Sequence, residues 1–119
     1  MEKQNTPESG SENQSKDIAR LNDLLRRNAI GGRILVTQGV QELSQSERSQ
    51  LMTAIAIFNN FTPDNDPYSE HDFGEVMVRG VKYFWKIDYY DQNYEGMSPN
   101  PLDQEETRRV MTVMRADEY

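Results

Sequence analysis

The sequence predicts an α+β domain: a small, mostly antiparallel sheet, one strand plus a β-hairpin, packed with three helices in the order α-β-α-β-β-α. Three observations predict it. Apolar residues recur at helical spacing in separate segments. Residues Val81–Tyr90 alternate between two faces, as a strand does. Gly80 stands between two β-rich runs, where a tight hairpin turn would sit.

The first 15 residues are polar, with no apolar residue after Met1, and read as a disordered tail. Residues 16–119 then form one domain, the number a chain of 119 residues allows. The first helix spans about Asp17 to Asn28. Ile18, Leu21 and Leu25 give its stripe, Leu24 widens it, and Gly31-Gly32 stops it. That glycine pair reads as a helix stop rather than a phosphate cradle. Arg33–Gln38 follows as a short buried strand closed by Gly39.

The second helix opens on Ser44 and Glu47, the spacing of a capping box. Leu51, Ile55 and Phe58 form its main stripe. Met52, Ala54, Ala56 and Ile57 make it nearly apolar all round, so burial on more than one side is expected. Thr62–His71 is a loop rich in Pro, Asp and Asn. The hairpin strands are Phe73–Arg79 and Val81–Tyr90. On the second, Val81, Tyr83, Trp85, Ile87 and Tyr89 share one face, and Lys82, Phe84, Lys86, Asp88 and Tyr90 the other. A loop with Pro99 and Pro101 leads to Asp103 and Glu106, which read as the start of a last helix. Val110, Val113 and Met114 would face inward from it.

Composition excludes several classes of function. There is no cysteine, hence no disulfide, thiolate metal site or cysteine nucleophile. No window is apolar enough for a membrane span, and the N-terminus has no signal or transit character, so a cytoplasmic protein is expected. The net charge of −7 disfavours direct binding of nucleic acid and leaves room for a protein partner that is itself basic. No phosphate-binding glycine loop, dinucleotide fingerprint or Ser/His/Asp order is present, and no cofactor is expected.

The segment Phe61–Asp91 concentrates the chemistry. Asp64–Glu75 holds five acids, and the only histidine is His71. Asp64, Asp66 and Glu75 fall at positions one, three and twelve of a calcium loop. The turn glycine is missing and Pro67 stiffens the middle, so no metal site is assigned. The plainer reading is that Asp64, Asn65 and Asp66 cap the loop's own backbone, with His71 hydrogen-bonded beside them. An acid–base cluster of His71, Asp72, Lys86 and Asp88 is the catalytic alternative. Lys86–Asp88 reads more simply as a surface ion pair. Lys86-Ile87-Asp88 also reverses the acid-x-Lys order of a restriction-type nuclease. The aromatics Tyr83, Phe84, Trp85, Tyr89, Tyr90 and Tyr94 fill a core or anchor a partner rather than stack single-stranded nucleic acid.

Four strings, GGRILVTQGV (Gly31–Val40), NDPYSEHDFG (Asn65–Gly74), FWKIDYYD (Phe84–Asp91) and TRRVMTVMRADEY (Thr107–Tyr119), resemble domain of unknown function 3768, a family of small alphaproteobacterial and plasmid-encoded proteins. The likeness runs from about Ile18 to Tyr119. The family has no established activity to carry over; it implies a bacterial source and makes a mobile-element role an expectation. The leading expectation is a small, acidic, non-enzymatic interaction protein. Its contact residues would be Asp64, Asn65, Asp66, Glu70, His71, Asp88, Tyr89, Tyr90 and Asp91. A specific form is an anti-CRISPR-like or DNA-mimicking inhibitor of a nucleic-acid-binding defence complex. The competing expectation is a hydrolase with His71 as base and Asp72 or Asp88 as orienter or metal ligand. A homodimer built on the aromatic face is a third.

Overall fold

A computed structural model of the protein describes residues 7–119. Helix α1 spans Pro7–Asn28, so it starts well before the expected Asp17. Of the expected tail, residues 1–6 lie outside the described residues. Strand β1 is Arg33–Val36, α2 is the single turn Gln38–Gln41, and α3 is Gln45–Ile57. Strands β2 (Phe73–Val78), β3 (Val81–Tyr90) and β4 (Arg108–Arg115) follow, and a 3₁₀ turn, Ala116–Glu118, ends the chain.

The domain is α+β, as expected; it has three α-helices, but one of them is the short α2 rather than a C-terminal helix, and the sheet has four strands in the order β1-β4-β3-β2 and is mixed. β1 runs parallel to β4, while β3 is antiparallel to both β4 and β2. The expected C-terminal helix is therefore corrected to a central strand. Val110, Met111, Val113 and Met114 are all buried: β4 lies inside the sheet between β1 and β3, and residues of both its faces are closed off from solvent. A strand buried on both faces loses its alternation and can mimic a helical stripe; the β-branched residues Val110, Thr112 and Val113 favour the strand. Asp103 does bond ahead, its carboxylate accepting from Glu105 N–H at 2.9 Å. That bond closes a turn and starts no helix.

Other local signals act as read. Ser44 and Glu47 form the capping box, with Glu47 N–H donating to Ser44 Oγ at 3.1 Å and Ser44 N–H to Glu47 Oε1 at 3.2 Å. Arg79 and Gly80 both take positive φ (52° and 82°), the geometry of a type I′ hairpin turn. Helix α1 closes at Ala29, which is left-handed at φ 58° and donates to the Leu25 carbonyl at 2.9 Å. Gly32 is required by packing: a Cβ there would stand 2.5 Å from the Arg109 carbonyl oxygen.

The core lies between the sheet and the helices α1 and α3. Leu25, Leu51, Ile55, Trp85, Met111 and Val113 are fully buried in it. Tyr83, Trp85 and Ile87 face inward from β3 as the alternation predicts. The Trp85 indole lies over Gly74, its register partner on β2. Helix α3 is buried on one side only, against expectation. Leu51 and Ile55 point in, while Ile57 is largely exposed, because the sheet and α1 cover a single face. Arg26 of α1 is buried and caps the end of α3, donating to the carbonyls of Ile55 (2.7 Å), Ala56 (3.2 Å) and Phe58 (2.9 Å). That satisfies acceptors a helix C-terminus leaves open.

Candidate functional site

The loop between α3 and β2 is folded by its own polar side chains. Asn65 Oδ1 accepts from Thr62 N–H at 3.0 Å, and its amide donates to the Asn60 carbonyl at 3.0 Å. Asp66 is buried and accepts from the backbone N–H groups of Glu70 (2.9 Å) and His71 (3.2 Å). Asp64 is exposed at the outside of the loop. These bonds hold Ser69 and His71 in left-handed backbone, at φ 58° and 57°. Such a conformation is uncommon for residues with a Cβ and fixes where their side chains point.

The left-handed turn sends His71 toward α1. Its Nδ1 stands 3.0 and 3.1 Å from the carboxylate oxygens of Asp23, and its ring stacks on Phe61 at 3.9 Å with the planes 2° apart. Asp23 also accepts from Arg26 at 2.7 Å. The catalytic set His71, Asp72, Lys86 and Asp88 is thus divided. Asp72 and Asp88 line one cleft, Lys86 pairs with Asp88 at 3.1 Å, and His71 lies outside that cleft against α1.

The cleft has a volume of about 560 Å³ and lies between the loop, β3 and the Asp91–Thr107 connection. Three carboxylates line it, Glu70, Asp72 and Asp88, together with Tyr68, Tyr89 and Tyr90. Five of the expected contact and catalytic residues therefore meet here. Asp91 instead holds the connecting loop, accepting from the N–H groups of Asn93 and Glu95 at 3.0 Å each. Asp72 is half-buried, and burial pushes its carboxyl up to about 6, with the nearby charges of Glu70, Asp66 and Asp88 adding to the shift. Burial likewise drives the Tyr89 hydroxyl well above its ordinary range; Glu70 and Asp72 raise it further, while the Asn22 hydrogen bond opposes.

Behind the cleft runs a buried polar seam that sequence reasoning missed. The Tyr89 hydroxyl donates to Glu70 Oε1 at 2.9 Å and accepts from Asn22 Nδ2 at 2.7 Å. Asn22 also donates to the Glu70 carbonyl at 3.0 Å. Arg109 completes the seam, donating to Asn22 Oδ1 (2.7 Å), Gln104 Oε1 (2.6 Å) and the Pro101 carbonyl (2.6 Å). Its guanidinium lies 5.2 Å from the Tyr89 ring centroid, and burial lowers its pKa. One signal was available in the sequence. Asn22 and Arg26 sit on the Ile18–Leu25 stripe of α1, where polar residues need buried partners.

Among the described residues, no three His, Asp or Glu side chains are placed to hold a metal ion. The calcium-loop positions do not meet: Glu75 sits within β2 and faces Lys82 at 3.7 Å. No helix among the described residues is long and apolar enough to cross a membrane. A shallow hollow of about 910 Å³ on the outer side of α3 is lined by no charged side chain and lies apart from the cleft.

Fold and site together define a small α+β protein that gathers carboxylates and tyrosines at one end of a mixed sheet. The chain belongs to the family described as protein of unknown function (DUF3768), which matches residues 36–118. That span holds the cleft and Arg109, whereas Asn22, Asp23 and Arg26 lie before it. No curated protein and no solved structure matches the chain.

Proposed function

We propose that this protein is a non-enzymatic interaction module whose cleft receives a lysine or arginine side chain of a basic protein partner. The observation that carries the reading is that Glu70, Asp72 and Asp88 share one hollow with three tyrosines. Asp88 already has Lys86, and Glu70 has the Tyr89 hydroxyl. Asp72 has no cation beside it among the described residues, and burial first, with the charges of Glu70 and Asp66 adding, holds its carboxyl above the ordinary range. An incoming ammonium or guanidinium would neutralise that charge and lie against aromatic faces, which attract cations.

The specific form, an inhibitor that fills a groove built for phosphates, is supported by the net charge of −7 and by the exposed Asp64. The family resemblance makes a mobile-element setting for it reasonable. The hydrolase alternative draws support from Asp23, which orients His71 as a general base requires. The cleft carboxylates stand apart from that imidazole, so the interaction reading is preferred.

The test is a titration of the protein with a lysine-rich peptide and with the same peptide acetylated on its lysines, following the tyrosine ring resonances. Binding of the unmodified peptide that is lost on acetylation, and lost in Asp72→Asn/Asp88→Asn, supports the reading. Equal binding of both peptides, or of the double variant, removes it.

A further inference from the structure

We propose that a second hollow, bounded by Arg33, Arg108, Tyr94 and the Gly31-Gly32 turn, is a binding site for a phosphate group. Its volume is about 360 Å³. It does not depend on the acidic cleft, which other residues of the Asp91–Thr107 connection line.

Charge is the first reason. The chain has 20 acidic residues against 13 lysines and arginines. Acids are abundant, yet among the described residues Arg33 and Arg108 form no ion pair and no side-chain hydrogen bond. Two adjacent guanidiniums left unneutralised repel each other, and an anion between them relieves that repulsion.

Sheet register is the second. Arg33 pairs with Val110 across the parallel β1–β4 ladder, so it shares a face with Val110 and with Arg108, two residues before it. Diagonal neighbours of this kind have Cα atoms about 7–8 Å apart, within reach of one tetrahedral anion for two long side chains. The Arg33 guanidinium lies 5.3 Å from the centroid of the Tyr94 ring, which holds it in place while leaving its N–H edge free.

The floor is the third. Gly31 has φ 88° and no side chain to fill the hollow, and Gly32 is held bare by the Arg109 carbonyl. Arg109 itself has every guanidinium nitrogen committed to Asn22, Gln104 or Pro101, so it contributes positive potential rather than hydrogen bonds. Two guanidiniums that each offer paired donors match a dianionic phosphate better than a single carboxylate.

The experiment titrates the full chain with inorganic phosphate and with a nucleoside 5′-monophosphate, against chloride at matched ionic strength, following backbone amide resonances. Saturable shifts at Gly31, Gly32 and Arg108 are expected. Arg33→Gln and Arg108→Gln, both at accessible positions, should each weaken binding about tenfold or more. Tighter binding of the nucleotide than of inorganic phosphate would identify the source of the phosphate as a nucleotide; equal binding would identify the free anion. Shifts that fail to saturate, or that persist unchanged in both variants, would overturn the proposal.

Discussion

Arg109 Nε donates to Asn22 Oδ1 at 2.7 Å, joining the last strand to the first helix across 87 residues of chain. This contact ties α1, which lies outside the family match, to β4 inside it. Asn22 is fully buried and Arg109 almost so. Neither group can turn to water when its partner is removed, so each depends on the other.

Arg109→Ala is expected to be strongly destabilising, by about 3–5 kcal/mol, because it empties a buried side-chain site and leaves Asn22 Oδ1 and the Pro101 carbonyl without their donor. Asn22→Ala should cost less and leave Arg109 with two of its three acceptors. Urea unfolding of both single variants and the double variant gives the coupling between them. A coupling near zero would mean that α1 and β4 are held together by apolar contact alone.

His71 separates the two functional readings. His71→Ala removes the contact to Asp23 and the stack on Phe61, and places alanine at φ 57°. A loss of about 2 kcal/mol is expected. His71→Asn tolerates the left-handed backbone better and should lose less. If His71→Ala unfolds at the same urea concentration as the wild type, the ring has no structural task, and the hydrolase reading gains the ground that the interaction reading loses.

The same residue shows where the sequence stops being readable. Alternation placed Tyr83, Trp85 and Ile87 on the core face of β3, and Gly80 placed the hairpin, because both signals are local. The direction of His71 depends on a left-handed φ imposed by Asp66, which no periodicity records. β4 escapes local signals for another reason. Residues of both its faces are buried by strands and side chains distant in the chain, so its own sequence carries no alternation. The cleft was legible in part: Glu70, Asp72, Asp88, Tyr89 and Tyr90 come together because the loop leads straight into the strand they share or face. Asp66 was read as a contact residue. It is buried and accepts backbone N–H groups, so reversing its charge would undo the loop before it tested any partner.

Asp72 gives a pH dependence whose sign can be worked out. Its folded carboxyl is pushed up to about 6 from an ordinary 3.8, so between those values the folded state holds a proton that the unfolded state has released. Stability therefore falls as pH rises through that window, and the penalty is complete above about 6. The group is only half-buried, so solvent screens the effect, and about 1–2 kcal/mol is a reasonable size. Asp72→Asn cannot ionise and escapes the penalty. The variant should be more stable than the wild type above pH 6, with the advantage shrinking toward 3.8. Urea midpoints for both proteins across this range test it, and taking their difference cancels the titration of the other carboxylates. A bound cation should abolish the advantage by stabilising the ionised Asp72, so repeating the series with the lysine-rich peptide links the stability of the fold to the occupancy of the cleft. An advantage that stays constant with pH would mean that neither burial nor the charges of Glu70 and Asp66 move the Asp72 carboxyl from its ordinary range.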